Sequence, residues 1–244
     1  MMTPTKNNVE EFNGDVKANG GYLYTTNPTL SSTYANKRIT EALAAYIPKD
    51  CKTLVDIGCG DGVYTAEIKQ MYPDIEIEGF DPAVEAIYTA QKKYTNIKFS
   101  VMNILSEHLD KETHQFDVGV IRGVLHHLPD QEFALKNAFK ICETVIIMEP
   151  NGNNPILKVI EKVSPYHRTH EEQSFMFRTL KKWTEQAGGE VIANDYVGFI
   201  PFFFPDFPTK IIFFFQPFLE KFPLVREILS GQIIMLCKRR ATTD

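Results

Sequence analysis

Three glycines and two carboxylates have the types and spacing to hold a small ligand. The stretch "VDIGCGDG" closes an apolar run and carries Asp56, Gly58, Cys59, Gly60, Asp61 and Gly62. Glycines there admit backbone angles and a close ligand approach that a side chain would block. A pyrophosphate prefers glycines spaced G-x-G-x-x-G at a helix start. Here the spacing is G-x-G-x-G with Asp56 and Asp61 alongside. Carboxylates repel phosphate and suit a ligand that is cationic at this point. Asp81 ends the next apolar run, nineteen residues beyond Gly62. A carboxylate in that place accepts both hydroxyls of a ribose. The implied ligand has a ribose, a positive region and no phosphate.

S-adenosylmethionine, with its ammonium and sulfonium, meets all three conditions. Its methyl leaves by in-line displacement, so a protein has mainly to hold the acceptor close and exclude water. An alcohol or phenol acceptor also benefits from a base, and histidine serves near neutral pH. His126 and His127 in "RGVLHHLPD" are the candidates, with Glu149 in "MEPNGNNP" to orient a substrate hydroxyl. The competing roles are local: the histidines bonding their turn, Glu149 capping or pairing nearby.

These residues need a frame that brings them together. "KTLVDIG", "IEIEGFD", "IKFSVMN", "FDVGVIRG" and "TVIIMEP" read as buried strands, separated by helical stretches such as "DGVYTAEIKQMY" and "PDQEFALKNAFKIC". That alternation predicts a parallel sheet covered on both faces, with every strand's C-terminal end on one edge. "EVIANDYVGF" and "QIIMLCKR" read as two further strands. The expected fold is α/β, a doubly wound, seven-stranded, mostly parallel sheet. Residues 1 to 30 lack periodicity and read as a loose arm, followed by a helix from Thr33 that Pro48 stops. The expected division is an arm and helix over 1–48, acting as a lid, and a ligand-binding domain over 49–244.

With 244 residues, a net charge of −5 and a pI near 5.7, the chain offers no basic run for a nucleic-acid backbone. Cys51, Cys59, Cys142 and Cys237 form no CxxC pair, so neither zinc nor a disulfide framework is suggested. The polar, acidic start is unlike a signal peptide, and a cytoplasmic protein is expected.

The sequence resembles the class I S-adenosylmethionine-dependent methyltransferases, particularly their broad small-molecule group. "VDIGCGDG" is similar to that family's first motif, "GFDPA" to its second, and "FDVGVIRGVLHHLPD" to the segment that usually contains "VLHHL". The resemblance runs from about Leu54 to Pro150 and more loosely to Arg239, where "QIIMLCKR" looks like the family's antiparallel last strand. It implies a Rossmann-like fold in which Asp56, Gly58, Cys59 and Gly60 cradle the methionine portion. Asp81 would hold the ribose, Pro82 or Ala83 would border the adenine, and Met102, Asn103 and Ile104 would contact it. Many members carry an acidic residue where this chain has Asn103. Arg122 and Gly123 would face the transferred methyl.

The expected function is methyl transfer to a small-molecule acceptor, at an oxygen of a hydrophobic or hydroxylated metabolite. The alternative is a non-catalytic binder of S-adenosylmethionine or S-adenosylhomocysteine. Tyr22, Tyr24 and Tyr34 in the arm, and Tyr166, His167 and Arg168 in "SPYHRTHEEQSF", are weaker substrate candidates. No metal ligand set is expected.

One segment remains. "GFIPFFFPDFPTKIIFFFQPFLEKF", residues 198 to 222, holds ten of the eighteen phenylalanines. Asp206, Lys210 and four prolines exclude a membrane-spanning helix. Ile211, Phe214, Phe215, Phe218 and Phe222 follow helical spacing, with Gln216 and Glu220 on another side. A helix starting at Pro217 and running to "REILSG" fits equally. The insert, about 198–229, is expected to pack its apolar face on the domain. The sharper readings give "PFFFPDFP", Phe203 included, to a hydrophobic substrate wall, a subunit contact or a surface that meets lipid.

Overall fold

Short runs rich in Val, Ile and Leu cannot leave both faces in water, so they pair in the middle of a sheet. The computed structural model describes residues 5–22, 26, 28–107, 109, 115–163, 173–202 and 204–241. Its strands are β1 (Thr53–Ile57), β2 (Glu76–Asp81), β3 (Lys98–Val101), β4 (Phe116–Arg122), β5 (Cys142–Pro150), β6 (Gly189–Val197) and β7 (Gln232–Arg239). They form one sheet in the order β3-β2-β1-β4-β5-β7-β6. The pairings from β3 to β5 are parallel, and β7 runs antiparallel to both of its neighbours. The doubly wound sheet and antiparallel last strand expected from the sequence are present.

The helices are α1 (Thr5–Asn19), α2 (Leu30–Ala44), α3 (Val63–Met71), α4 (Val84–Lys93), α5 (Gln131–Ile141), α6 (Pro155–Val163), α7 (Phe177–Gln186), α8 (Asp206–Leu219) and α9 (Pro223–Leu229). Strand residues alternate between two cores. Val55, Ile57, Ile121, Val145 and Ile147 pack with α5 and α7 on one face. Leu54, Val118, Val120 and Ile146 pack with Ile39 and Leu43 of α2 on the other. Ile146 and Ile147 are fully buried on opposite faces, each contributing about 1.5–3 kcal/mol over an exposed position.

Two expectations are corrected. The N-terminal arm is not a loose coil, because residues 5–19 form α1. Val16, with Phe12 and Tyr22 beside it, packs on Ala83 and Ala86, Asn13 Oδ1 accepts the Glu85 N–H at the start of α4, and Lys17 pairs with Glu85. Val16 alone is buried among the described side chains of α1, which leaves no periodic stripe to read.

The second correction concerns the phenylalanines. Pro217 lies inside α8, which runs on to Leu219, and the chain breaks only before Pro223. Nor does α8 pack an apolar face inward. Its buried residues are Thr209 and Gln216, while Phe207, Phe214, Phe215 and Phe218 are exposed, Phe214 at 77%. The polar side faces α2. There Glu220 takes a two-pronged bond from Arg38 at 3.0 and 2.7 Å, and Gln216 donates to Glu220 Oε1 at 2.8 Å. Phe213 stacks on Tyr34 with ring centroids 4.3 Å apart.

Candidate active site

The C-terminal ends of β1, β2, β4 and β5 open onto one cavity of about 460 Å³. At β1 the chain turns sharply. Gly58 and Gly60 hold φ at 79° and 55°, left-handed values that disfavour a side chain. Space excludes one as well: a Cβ on Gly58 would sit 2.5 Å from Val124 Cγ2, and one on Gly60 2.3 Å from Tyr22 Cε2. The Gly58 and Cys59 N–H groups donate to the Phe80 carbonyl, tying the loop to β2.

Asp81 stands at the cavity wall with its carboxylate already oriented. Gly60 N–H donates to Oδ2 at 3.0 Å and Ala83 N–H to Oδ1 at 2.8 Å. Burial pushes its pKa up, and the two backbone bonds oppose that. Gly58, Cys59, Gly60, Pro82, Met102, Asn103, Ile104 and Arg122 also line the cavity.

Asp56 does not line it. It lies beneath the glycine loop, accepting the Thr65 hydroxyl at 2.6 Å, and burial pushes its pKa up to about 6. Its carboxylate therefore fixes the strand-to-helix turn from below. Arg122 lines the cavity with its guanidinium held between α2 and α3. It donates to Thr40 Oγ1 at 2.7 Å and Asn36 Oδ1 at 3.3 Å, and lies 3.7 Å over the Tyr64 ring.

After β4, residues Leu125–His127 form one 3-10 turn. His126 and His127 both line the cavity. Glu149 does not; it is fully buried behind His126. Its Oε2 lies 2.7 Å from His126 Nδ1, and its Oε1 accepts the N–H groups of Val124 at 2.9 Å and Leu125 at 2.7 Å. When Nδ1–H donates to Oε2, the imidazole lone pair lies on Nε2. His127 packs edge-on to Phe12 of α1, centroids 5.1 Å apart.

The arm closes one side: Tyr22 lines the cavity, and its N–H donates to Asp61 Oδ2 at 3.2 Å. Tyr34 does not reach the cavity, being spent on Phe213. Tyr24, Tyr166, His167, Arg168 and Phe203 lie outside the described residues. Residues missed in the sequence include Asn36, Ile39 and Tyr64, and Leu157, Ile160, Ile200 and Leu229 of the outer wall, which Phe202 of "PFFFPDFP" joins. Asn36 and Thr40 carried a signal, a polar pair at i, i+4 beside the buried Ile39 and Leu43.

The profile of the family described as "Methyltransferase domain" matches residues 31–194. The chain belongs to that family. The resemblance seen in the glycine loop, "GFDPA" and "VLHHL" is thereby borne out. Among curated relatives, the methyltransferase-domain chain is 33% identical over 95 residues to tRNA U34 carboxymethyltransferase of Sulfurovum sp., covering 36% of this chain and 30% of that one. It is 26% identical over 145 residues to trans-aconitate 2-methyltransferase of Methylobacterium radiotolerans, covering 58% and 52%. The chain thus spans about half or less of the length of these relatives. Among solved structures, a SAM-dependent methyltransferase from Thermotoga maritima superposes with TM-score 0.70 at 16% identity, covering 96% of this chain and 100% of that one. At that identity the likeness is one of fold.

Proposed function

We propose that this protein is an S-adenosylmethionine-dependent methyltransferase acting at an oxygen of a small acceptor with an apolar body. The observation that carries the reading is that one cavity joins the glycine loop and Asp81 to His126 backed by Glu149. The donor set fits the cofactor. Asp81 offers carboxylate lone pairs to a ribose, Met102 and Ile104 offer apolar contact to a base, and Gly58 and Gly60 bring the backbone to the cavity wall. When bound, the cofactor supplies a methyl group on a sulfonium, which passes to a nucleophile as a neutral thioether departs.

The residues of this chain bind, orient and take a proton. His126 Nε2 receives the acceptor's O–H proton as the oxygen commits to the methyl carbon. The imidazolium that results is balanced by Glu149, whose own position is fixed by two backbone N–H groups. Leu157, Ile160 and Phe202 exclude water from the acceptor end.

The relatives' names span tRNA and a small acid, so family membership does not choose the acceptor. The apolar outer wall and the net charge of −5 support a small apolar acceptor over a nucleic acid. Calorimetric titration with S-adenosylmethionine, followed by incubation with labelled methyl donor and cell extract, tests the reading. Binding and a labelled small product are expected. Label only in RNA or protein would overturn the acceptor class, and binding without any transfer would favour the accessory-binder alternative.

A further inference from the structure

The amphipathic helix α8 is mounted the wrong way round for a soluble domain. Thr209 and Gln216 are buried and Glu220 meets Arg38 of α2, while Phe207, Ile211, Phe214, Phe215 and Phe218 share the outward side. Helices α6 and α9 contain no buried residue at all, and Ile156, Val159, Leu224 and Ile228 are exposed on them. Large contiguous apolar surfaces of this kind mark a partner or a membrane. We infer that this face seats on the surface of a lipid bilayer whose headgroups are anionic, and that the acceptor enters the cavity from that side.

Three observations choose a bilayer over another protein. The first is charge. Lys210 stands a turn from both Phe207 and Phe214, Lys221 follows Phe218, and Lys162 lies on α6. All three are exposed and form no ion pair among the described residues. Two exposed carboxylates oppose them: Asp206, in the first turn of α8, and Glu227, which Asn153 engages. In a chain of net charge −5, this fringe is where cations border the aromatic side, and long lysine stems reach past apolar surface to headgroups.

The second observation is firmness of mounting. The Arg38–Glu220 pair and the Phe213–Tyr34 stack fix α8 to α2 with its phenyl rings outward. The exposed rings are thus a held feature of the fold. The third is continuity. Ile156 and Leu229 line the cavity, yet are 57% and 41% exposed on α6 and α9, which pack on each other, and the Phe218–Phe222 ring contact joins α8 to the start of α9. An apolar acceptor dissolved in the bilayer would meet the outer wall of the site without crossing water. A second copy of the chain would cover that mouth. No described helix is long and apolar enough to cross a membrane, so the contact is interfacial. The entry route rests on the acceptor reading above; the docking does not.

Sedimentation of the full chain with vesicles tests this, using phosphatidylcholine alone and phosphatidylcholine mixed with phosphatidylglycerol, without cofactor or acceptor. Binding to the mixed vesicles, weakened by salt, is expected. The double substitution Phe214→Glu and Phe218→Glu should lower vesicle affinity at least about tenfold. Lys210→Glu with Lys221→Glu should abolish the preference for the anionic lipid. Because these side chains lie outside the cavity, S-adenosylmethionine affinity and thermal midpoint should stay at the wild-type values, which separates docking from folding. Absence of vesicle binding, or equal binding by the phenylalanine variant, overturns the inference. So does a dimer that Phe214→Glu and Phe218→Glu dissolve while no vesicles bind, which assigns the face to a second copy. Failure of methyl transfer alone overturns the functional reading and leaves docking intact.

Discussion

Glu149 divides its carboxylate between two tasks: Oε2 meets His126 Nδ1 at 2.7 Å, and Oε1 collects the N–H groups of Val124 and Leu125. The turn that carries the imidazole and the group that sets its tautomer are therefore locked by one side chain.

Glu149→Gln should lower kcat by about two orders of magnitude or more, within the usual contribution of a general base. The amide can place an N–H against Nδ1, which moves the proton to Nε2 and removes the acceptor lone pair. Steady-state rates, with nitrogen chemical shifts of His126 to report the tautomer, check this. Cofactor affinity should hold within about twofold. Loss of folding with no change of tautomer would make Glu149 purely structural.

Asp81→Ala should weaken S-adenosylmethionine binding by about 10- to 100-fold, the worth of hydrogen bonds to a charged group. Calorimetry with an analogue lacking the ribose hydroxyls isolates the contact. That analogue should bind wild type and variant alike.

Gly60→Ala should cost about 1–2 kcal/mol from the left-handed backbone alone, and more from the clash with Tyr22. Combining it with Tyr22→Ala removes the clash and leaves the backbone cost. Chemical denaturation of the two single variants and the double variant should therefore be non-additive.

Asp56 gives a pH signature. Burial pushes its carboxyl up to about 6 from an ordinary 3.8. The folded state thus holds the proton more tightly than the unfolded chain. Its contribution to stability is complete below pH about 4 and is lost as pH rises through about 6, a change of roughly 3 kcal/mol. Asp56→Asn, which can still accept from Thr65, should gain on wild type across that window and keep a constant advantage above it. Urea denaturation of both proteins at successive pH values tests this; a difference that ignores pH would refute the burial argument.

The sheet was legible because short runs rich in Val, Ile and Leu separated by amphipathic ones leave few topologies. The cavity wall at Gly58, Gly60 and Asp81 was legible because those positions need unusual backbone or a strand-end carboxylate. Two things were not. Periodicity says which side chains of α8 share a face, but not which face meets the protein. That choice was made by Arg38 and Tyr34, about 180 residues earlier in the chain. Likewise, nothing near Glu149 in sequence announces His126, because their meeting depends on β4 and β5 being neighbours.

β7 lies between β5 and β6, pairing with both, although it follows both in the chain. During synthesis β6 emerges before β7, the strand it pairs with, whereas α8 emerges after α2, the helix that holds it. Closure of the sheet waits for residues 232–239. A ribosome that stalls within α9 would leave a chain whose sheet ends at β5 with β6 an orphan strand, the form of this protein most in need of a chaperone.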